Sequence, residues 1–302
     1  MGNGSCPSPL SPPVQMLDQF IATLPHPVQG VTADSRQVTP AFIFVAVPGG
    51  TFDGHDFISP AIQNGAMAVV GERPDVSLSV PYLAVPNARR ALAYLSAYLR
   101  NFPTRRLTMI GVTGTDGKTT TTNLIHHILT AAGLRAGMIS TVNAVLGDQV
   151  ADTGLHVTTP AAPAVQNYLA EMVRAGLTHC VLEATSHGLA QRRVSACDFD
   201  VAVVTNITHE HLDYHGGYPA YRAAKAMLFE SLADAARKPG QPKVAVPNAG
   251  DGSLEYLRPI PADRQNRYSI SGPADLTARP LPPGADKNTI GLAGGGQAFA
   301  SG

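Results

Sequence analysis

The chain has 302 residues, with 22 Lys+Arg against 22 Asp+Glu, a formal net charge of +0 and 44% hydrophobic residues. That length leaves room for about two domains with cores of their own and excludes a disulfide-stapled mini-protein. The balanced charge and a pI near 7.2 leave no electrostatic footprint for a nucleic-acid backbone or an anionic membrane, and the longest apolar runs are too short to span a bilayer.

Residues 1–13 lack the basic and apolar segments of a secretory signal and are rich in Pro and Ser, so they read as a disordered tail of a cytoplasmic protein. Cys6, Cys180 and Cys197 are odd in number and form no C-x-x-C pair, which argues against a disulfide framework and a thiolate zinc site. Between 14 and 103, short apolar runs at 42–47, 67–70 and 82–85 precede a helical stretch at 88–100. Its Leu92, Leu95 and Leu99 recur at i, i+3 and i+7, a core-facing stripe. Pro103 disfavours helix at Phe102 and supplies no donor, so a domain boundary is expected after residue 103. From 104 to 302, apolar runs at 107–112, 180–182, 201–204 and 244–246 alternate with helical segments near 118–132, 161–175 and 218–236. Runs of this kind, without strict alternation, suit strands covered on both faces of a mostly parallel sheet. After about residue 272 the composition turns to Pro, Gly and Ala with no closing helix, and the second domain is expected to be incomplete.

Residues 107–120, LTMIGVTGTDGKTT, read as strand, Gly-rich turn and helix. In that order Gly114 and Gly117 let backbone N–H groups converge on phosphate oxygens, and the helix N-terminus adds partial positive charge. Lys118 can reach terminal phosphates and Thr119 can present its hydroxyl to Mg²⁺. A strict Walker A motif has Gly five positions before Gly117, where Val112 stands, and the plainer alternative is a Gly-rich turn with an exposed lysine. Leu124, Ile125, Ile128 and Leu129 of the following helix are expected to form one apolar face. The expected class is therefore α/β: a small α/β domain followed by a P-loop-type domain on a mostly parallel sheet.

Glu183 closes an apolar run at the edge where open α/β sheets bind ligands, and could hold Mg²⁺ directly or through water; alone, such a Glu is as readily a solvated or capping residue. Residues 205–216, TNITHEHLDYHG, gather His209, Glu210, His211, Asp213 and His215 on the same edge. H-x-H-x-D followed by His is similar to the zinc motif of metallo-β-lactamase-type hydrolases, although Tyr214 separates Asp213 from His215; a polar surface loop is the other alternative. A helix starting near Pro219 carries Lys225 about two turns in, where a lysine by itself is usually a solvated charge.

Together these segments resemble the Mur ligases of peptidoglycan synthesis, most closely the MurE type, over about residues 30–272. TGTDGKTT at 113–120 resembles the family's TGTNGKTT, with Asp116 where Asn is usual. EATSHGL at 183–189 matches E-[VA]-[ST]-S-H-G-L, and HLDYHG at 211–216 matches unchanged. DSR at 34–36 and FIFVAVPGGTFDGHDFISPAIQNGA at 42–66 resemble the uridine-nucleotide-binding domain. The resemblance implies an N-terminal UDP-binding domain over 14–103 and a central ATP-binding domain over 104–302, the latter incomplete and the family's C-terminal domain absent.

It also implies functional residues. The ATP loop would comprise Gly114, Thr115, Asp116, Gly117, Lys118, Thr119 and Thr120, and the metal set Thr119, Glu183 and His211. Lys225 sits where the family carries a carbamylated lysine, and Lys118, Lys225 and His211 take the catalytic roles. Ser35, Thr158, Thr159, Thr185, Gln191 and Arg193 would hold the UDP-sugar peptide, hydroxyls and an Arg being suited to phosphate and carboxylate oxygens. The implied reaction is amide formation with ATP and Mg²⁺ as cofactors. ATP phosphorylates the terminal carboxylate of UDP-MurNAc-L-Ala-D-Glu, and the amino group of an incoming amino acid attacks the acyl phosphate; no covalent nucleophile is needed.

Asp116 brings a negative charge beside the phosphates, and Glu210 replaces an Asp that often precedes the family's metal His. Diaminopimelate and lysine are distinguished in the absent domain. A missing domain or partner chain is therefore expected, and the chain alone should be marginally stable and should not ligate. The alternative is a Mur-like nucleotide-binding module or subunit without ligase activity. Folylpolyglutamate synthetase shares the central ATP fold, but the uridine-type first domain argues against it.

Overall fold

A computed structural model describes residues 12–50, 52–74, 76–152, 159–208, 210, 212–270, 272–279, 290–294 and 297–301. Backbone contacts divide the chain into two units. The first takes the residues up to Pro103 with Pro160–Glu171 and Gln191–Ala196, and the second takes Thr104–Thr159, Met172–Ala190 and the residues from Cys197 onward.

The early elements are α1 (Pro12–Ala22), β1 (Gly30–Thr32), β2 (Phe42–Val45), α2 (Ile58–Gln63), β3 (Ala66–Gly71), β4 (Tyr82–Ala84) and α3 (Ala88–Tyr98). The strands form a parallel sheet in the order β1-β2-β3-β4. Successive side chains of a strand point to opposite faces, and here both faces are covered. Ile43, Val45, Ala68 and Val70 pack with Leu17 of α1 and Leu95 of α3, whereas Phe44 and Val69 pack with Ile58 and Ala61 of α2. Leu92 and Leu99 lie against the Leu95 side of that core, as the spacing predicts. After α3 the chain reverses: Asn101 and Phe102 take φ of 55° and 49°, and the Phe102 N–H reaches the Ala97 carbonyl at 2.8 Å. The expected tail over 1–13 is corrected at its end, because α1 starts at Pro12. Proline suits a first helical turn, whose N–H groups have no intrahelical acceptor. Residues 1–11 lie outside the described residues.

Along the rest of the chain run β5 (Thr108–Thr113), α4 (Lys118–Ala131), β6 (Ala136–Ile139), β7 (Asn143–Val145), β8 (Val150–Asp152), α5 (Ala162–Arg174), β9 (His179–Glu183), α6 (Ser186–Ala190) and β10 (Val201–Val204). They are followed by α7 (Leu212–His215), α8 (Tyr218–Asp234), β11 (Val244–Val246), α9 (Leu254–Leu257), β12 (Arg264–Gln265), β13 (Tyr268–Ser269), β14 (Leu276–Arg279), β15 (Ile290–Gly294) and β16 (Gln297–Ser301). The larger sheet has the order β12-β11-β10-β5-β9-β6-β7-β8. It is parallel from β12 to β6 and antiparallel through β7 and β8.

The four strands expected from apolar runs, β5, β9, β10 and β11, are neighbours at its centre. β6, of sequence AGMI, carries too little side-chain hydrophobicity to announce itself. Within the Pro, Gly and Ala segment after 272, β14, β15 and β16 pair antiparallel through their backbones, and among the described residues there it holds no helix. The expected apolar face of α4 splits. Ile125 and Leu129 pack on Ile110, Val112, Val181 and Val203, whereas Leu124 and Ile128 are 57% and 64% exposed, because four such positions span a wider arc than the sheet covers.

One buried carboxylate ties the amino edge of this sheet together. Asp200 Oδ1 accepts from Lys243 Nζ at 2.9 Å, and its Oδ2 accepts from Lys238 Nζ at 2.5 Å and from the Met109 N–H at 2.8 Å. Lys243 also donates to the Phe199 and Ala236 carbonyls, and Lys238 to the Leu107 and Asp198 carbonyls. Burial pushes the Lys238 amine below the ordinary lysine value, with Asp200 acting in the opposite direction. Removing one partner of such a cluster leaves charge buried without compensation, at a cost of about 3–5 kcal/mol. Asp200→Ala is therefore expected to lower unfolding stability by about that amount, read as a fall in the urea midpoint; a midpoint at the wild-type value would contradict the assignment.

Candidate active site

The site begins where β5 passes into α4. Gly114 has φ of 152°, and a Cβ there would stand 1.8 Å from Thr205 Oγ1, so only glycine lets the loop lie this close to the turn after β10. Gly117, with φ of 77°, is the N-cap of α4 and brings no capping side chain. The first-turn amides are thus left to an anion. The loop is braced from the neighbouring strand: the Thr115 N–H donates to the Asn206 carbonyl at 2.7 Å and the Asp116 N–H to Asn206 Oδ1 at 3.0 Å. Thr205 Oγ1 and Asn206 Nδ2 donate to the Asp116 carbonyl at 2.6 and 3.2 Å. Main-chain atoms of Asp116 carry these bonds and the residue is exposed, so loop shape does not require the Asn usual at this position. Lys118 Nζ donates to the Thr115 carbonyl at 2.6 Å, and Thr120 is exposed on the first turn.

β9 lies beside β5 and delivers Glu183 to the same edge. Glu183 is 1% exposed, and its Oε2 accepts from Thr119 Oγ1 at 2.9 Å and from the Thr141 N–H at 3.0 Å. A hydroxyl and a carboxylate oxygen this close form the kind of oxygen donor set a hard divalent cation takes, so the residues fit Mg²⁺. Among the described residues no group of three or more His, Cys, Asp and Glu side chains is placed to hold a metal. His209, His211 and Thr158 lie outside the described residues. Thr159 and Thr185 come together just past β9, their Oγ1 atoms 3.0 Å apart, with the Thr185 N–H on Thr159 Oγ1 at 3.1 Å.

In the first unit, Ser35 is buried in a turn capped by Asp34, and its carbonyl accepts from Asn64 Nδ2 at 2.9 Å. Arg36 clasps Asp34 and holds that carboxyl below the usual range. Also in the first unit, Gln191 Oε1 accepts from Arg193 Nε and Nη2 at 3.2 and 2.7 Å.

α8 supplies Lys225. Gly111 of β5 permits the close approach of this helix, since a Cβ there would meet Leu228 Cδ1 at 2.6 Å. Lys225 is 2% exposed rather than a solvated charge; Nζ donates to the Gly114 carbonyl at 2.5 Å and stands 4.5 Å from the centre of the Tyr221 ring. Burial and then the Lys118 charge bring its amine down to about 7, against the weaker upward pull of Glu210 and Asp116.

Two contributions escape sequence reasoning. Asn206 both braces the loop and lines a cavity of about 380 Å³ with Thr208, Tyr218, Asn248 and Asp251. Asn248 Nδ2 donates to the Thr205 carbonyl at 2.7 Å and Asp251 Oδ2 accepts the Ile207 N–H at 2.5 Å, so the cavity wall and the loop share their supports. The signal was present as Thr-Asn after an apolar run, but nothing in the residue types said which way they face. Of the histidines expected on this edge, His215 lies in an aromatic cluster, 5.4 Å from Tyr221 and 5.5 Å from His187, whose ring stacks on Tyr214 at 3.9 Å.

Comparison with known proteins follows the same two regions. Residues 112–289 match the Mur ligase middle domain, and residues 27–100 match the domain described as Mur ligase family, catalytic domain. A UDP-N-acetylmuramoyl-L-alanyl-D-glutamate--2,6-diaminopimelate ligase of Geobacillus thermodenitrificans is 43% identical over 248 residues, covering 82% of this chain and 50% of that protein. A UDP-N-acetylmuramyl-tripeptide synthetase of Roseiflexus is 46% identical over 261 residues, covering 83% and 51%. A solved structure of a UDP-N-acetylmuramoyl-L-alanyl-D-glutamate--2,6-diaminopimelate ligase superposes with a TM-score of 0.73 at 31% identity, covering 91% of this chain and 55% of that one. The chain spans about half the length of the curated relatives it matches. The middle-domain match alone takes in more than half of the chain and carries the glycine loop, Glu183 and Lys225 within it, and on that ground the chain belongs to the Mur ligase family.

Proposed function

We propose that this chain is the part of a MurE-type ligase that binds ATP and UDP-MurNAc-L-Ala-D-Glu, in the cytoplasmic stage of peptidoglycan synthesis. The observation that carries the reading is a convergence at one sheet edge: the glycine loop, Thr119 and Glu183 at 2.9 Å, and a buried lysine 2.5 Å from the loop carbonyl. The names of the relatives support the substrate. The phosphates of ATP lie in the loop of Gly114 to Thr120, against the amides at its α4 end, since the Thr115 and Asp116 N–H groups are held by Asn206, and with Lys118 on the terminal phosphates. Thr119 and Glu183 would hold Mg²⁺, joined by His211 through the family resemblance; when bound, the ion offsets the negative charge of the phosphates.

The family resemblance assigns Ser35, Thr158, Thr159, Thr185, Gln191 and Arg193 to the sugar nucleotide and its peptide, the Arg193 guanidinium being suited to carboxylate or phosphate oxygens. The dipeptide carboxylate takes the γ-phosphoryl group of ATP, Lys118 stabilises charge on the group in transfer, and the amine of the second substrate displaces phosphate to form the amide. Lys225 takes part as its carbamate: the neutral amine attacks CO₂, one proton is released, and a neutral group becomes an anion beside the loop. An amine near 7 suits that step, because the nucleophile is the unprotonated form.

Isothermal titration of the chain separates the two binding assignments. Lys118→Ala is expected to weaken Mg·ATP at least tenfold and to leave UDP-MurNAc-L-Ala-D-Glu binding at its original strength. A chain that binds ATP but no sugar nucleotide would instead mark a nucleotide-binding paralogue.

Carbamylation is read by ¹³C NMR in labelled bicarbonate. A carbamate signal absent from Lys225→Ala is expected to grow as pH rises through about 7, the range in which Lys225 loses its proton. An ordinary lysine, with a pKa of about 10.4, would delay that rise by roughly three pH units. A signal that survives Lys225→Ala would remove the lysine from this role.

A further inference from the structure

Tyr221 has no part in the reaction as described, yet it stands one helical turn before Lys225 and is fully buried. Its hydroxyl is 3.0 Å from Thr115 Oγ1 and donates to Glu210 Oε2 at 3.4 Å. Thr115 Oγ1 in turn accepts the Thr208 N–H at 2.9 Å. These contacts agree in one direction: Thr208 N–H to Thr115 oxygen, Thr115 O–H to Tyr221 oxygen, Tyr221 O–H to the Glu210 carboxylate, with the Thr208 carbonyl, 3.5 Å from Thr115 Oγ1, as a more distant acceptor. Each hydroxyl donates once and accepts once. A chain that ends on a charge is polarised along its length, so its members strengthen one another. Burial pushes the Tyr221 phenol up to about 12, which keeps the donor proton in place at neutral pH.

Two side chains on one face of α8 thus hold adjacent loop residues, Lys225 at the Gly114 carbonyl and Tyr221 at the Thr115 hydroxyl. The two grips differ in kind. Lys225 holds through an amine that the proposed chemistry alters, whereas the Tyr221 grip is made by a hydroxyl that stays the same throughout.

We propose that Tyr221 is a positioning residue: through Thr115, and anchored on Glu210, it holds the Gly114–Lys118 backbone in the shape that receives the ATP phosphates. This rests on the reading of residues 113–120 as the phosphate loop.

The test uses the full chain as wild type, Tyr221→Phe, Thr115→Val, the double variant and Lys118→Ala, with two readouts. Amide hydrogen exchange of the 113–120 segment reports loop order without ligand, and titration with Mg·ATP reports affinity. Tyr221→Phe keeps the ring over Lys225 and removes only the hydroxyl. It is expected to raise loop exchange and to weaken Mg·ATP about fivefold, the usual worth of one hydrogen bond. Thr115→Val should weaken Mg·ATP at least as much, since it also removes the acceptor of the Thr208 N–H, and the double variant should be no worse than Thr115→Val alone, because both changes break the same chain.

Wild-type exchange and affinity in Tyr221→Phe overturn the proposal, and so do independent, multiplying effects in the double variant. If Lys118→Ala weakens Mg·ATP and Tyr221→Phe does not, the phosphate-loop reading stands and the positioning role falls. A wild-type chain that takes up no Mg·ATP sinks the phosphate-loop reading itself, while loop exchange still decides whether Tyr221 holds the loop.

Discussion

The backbone between β5 and α4 has to pass against the turn after β10 with no side chain between them. At Gly114 the space for a Cβ is already taken by the Thr205 hydroxyl, and that hydroxyl bonds the Asp116 carbonyl two residues on. The remaining geometry of the second unit's site depends on this approach. It brings Asn206 within reach of the Thr115 and Asp116 main chain, and the N-terminus of α4 has no side-chain cap. It is also why α8, packed across Gly111 of the same strand, can reach the loop with two side chains.

Among the described residues of the second unit Lys225 and Lys243 are buried and Lys238 is half-buried, and their surroundings differ. Lys238 and Lys243 share the Asp200 carboxylate and each donates to two carbonyls, so they hold strands together. Lys225 has a carbonyl and an aromatic face close by, with the Lys118 charge opposing its own. An ammonium there is poorly compensated, and the balance tips toward the neutral amine, which is the nucleophilic form. The Asp200 cluster lies at the amino edge of the sheet and Lys225 at the carboxyl edge, where open α/β sheets bind ligands.

Much of this was legible beforehand because the central strands β5, β9, β10 and β11 are continuous apolar runs and the loop between β5 and α4 has glycines at set positions. Glu183 was placed at a strand end by the same pattern, and it is there. What stayed hidden has physical causes. β6 is made of small residues, and β14 to β16 hold together through backbone pairing that side-chain hydrophobicity does not report. On α4, periodicity groups Leu124 and Ile128 with Ile125 and Leu129, yet only the latter two meet the sheet. The start of α1 at Pro12 was masked by composition, since a Pro-rich stretch reads as tail while proline also begins helices.

By itself the sequence determined which residue types stand at which end of which strand: the glycine loop after β5 and the carboxylate at the end of β9 are local patterns. Tertiary structure alone decided what each of them feels. Whether Lys225 is solvated or buried, whether Asp116 shapes the loop through its side chain or its backbone, and which hydroxyls meet Thr115 depend on contacts with residues about 90 to 110 positions away. Burial and hydrogen-bond direction are properties of those neighbours, and no run of adjacent residues encodes them.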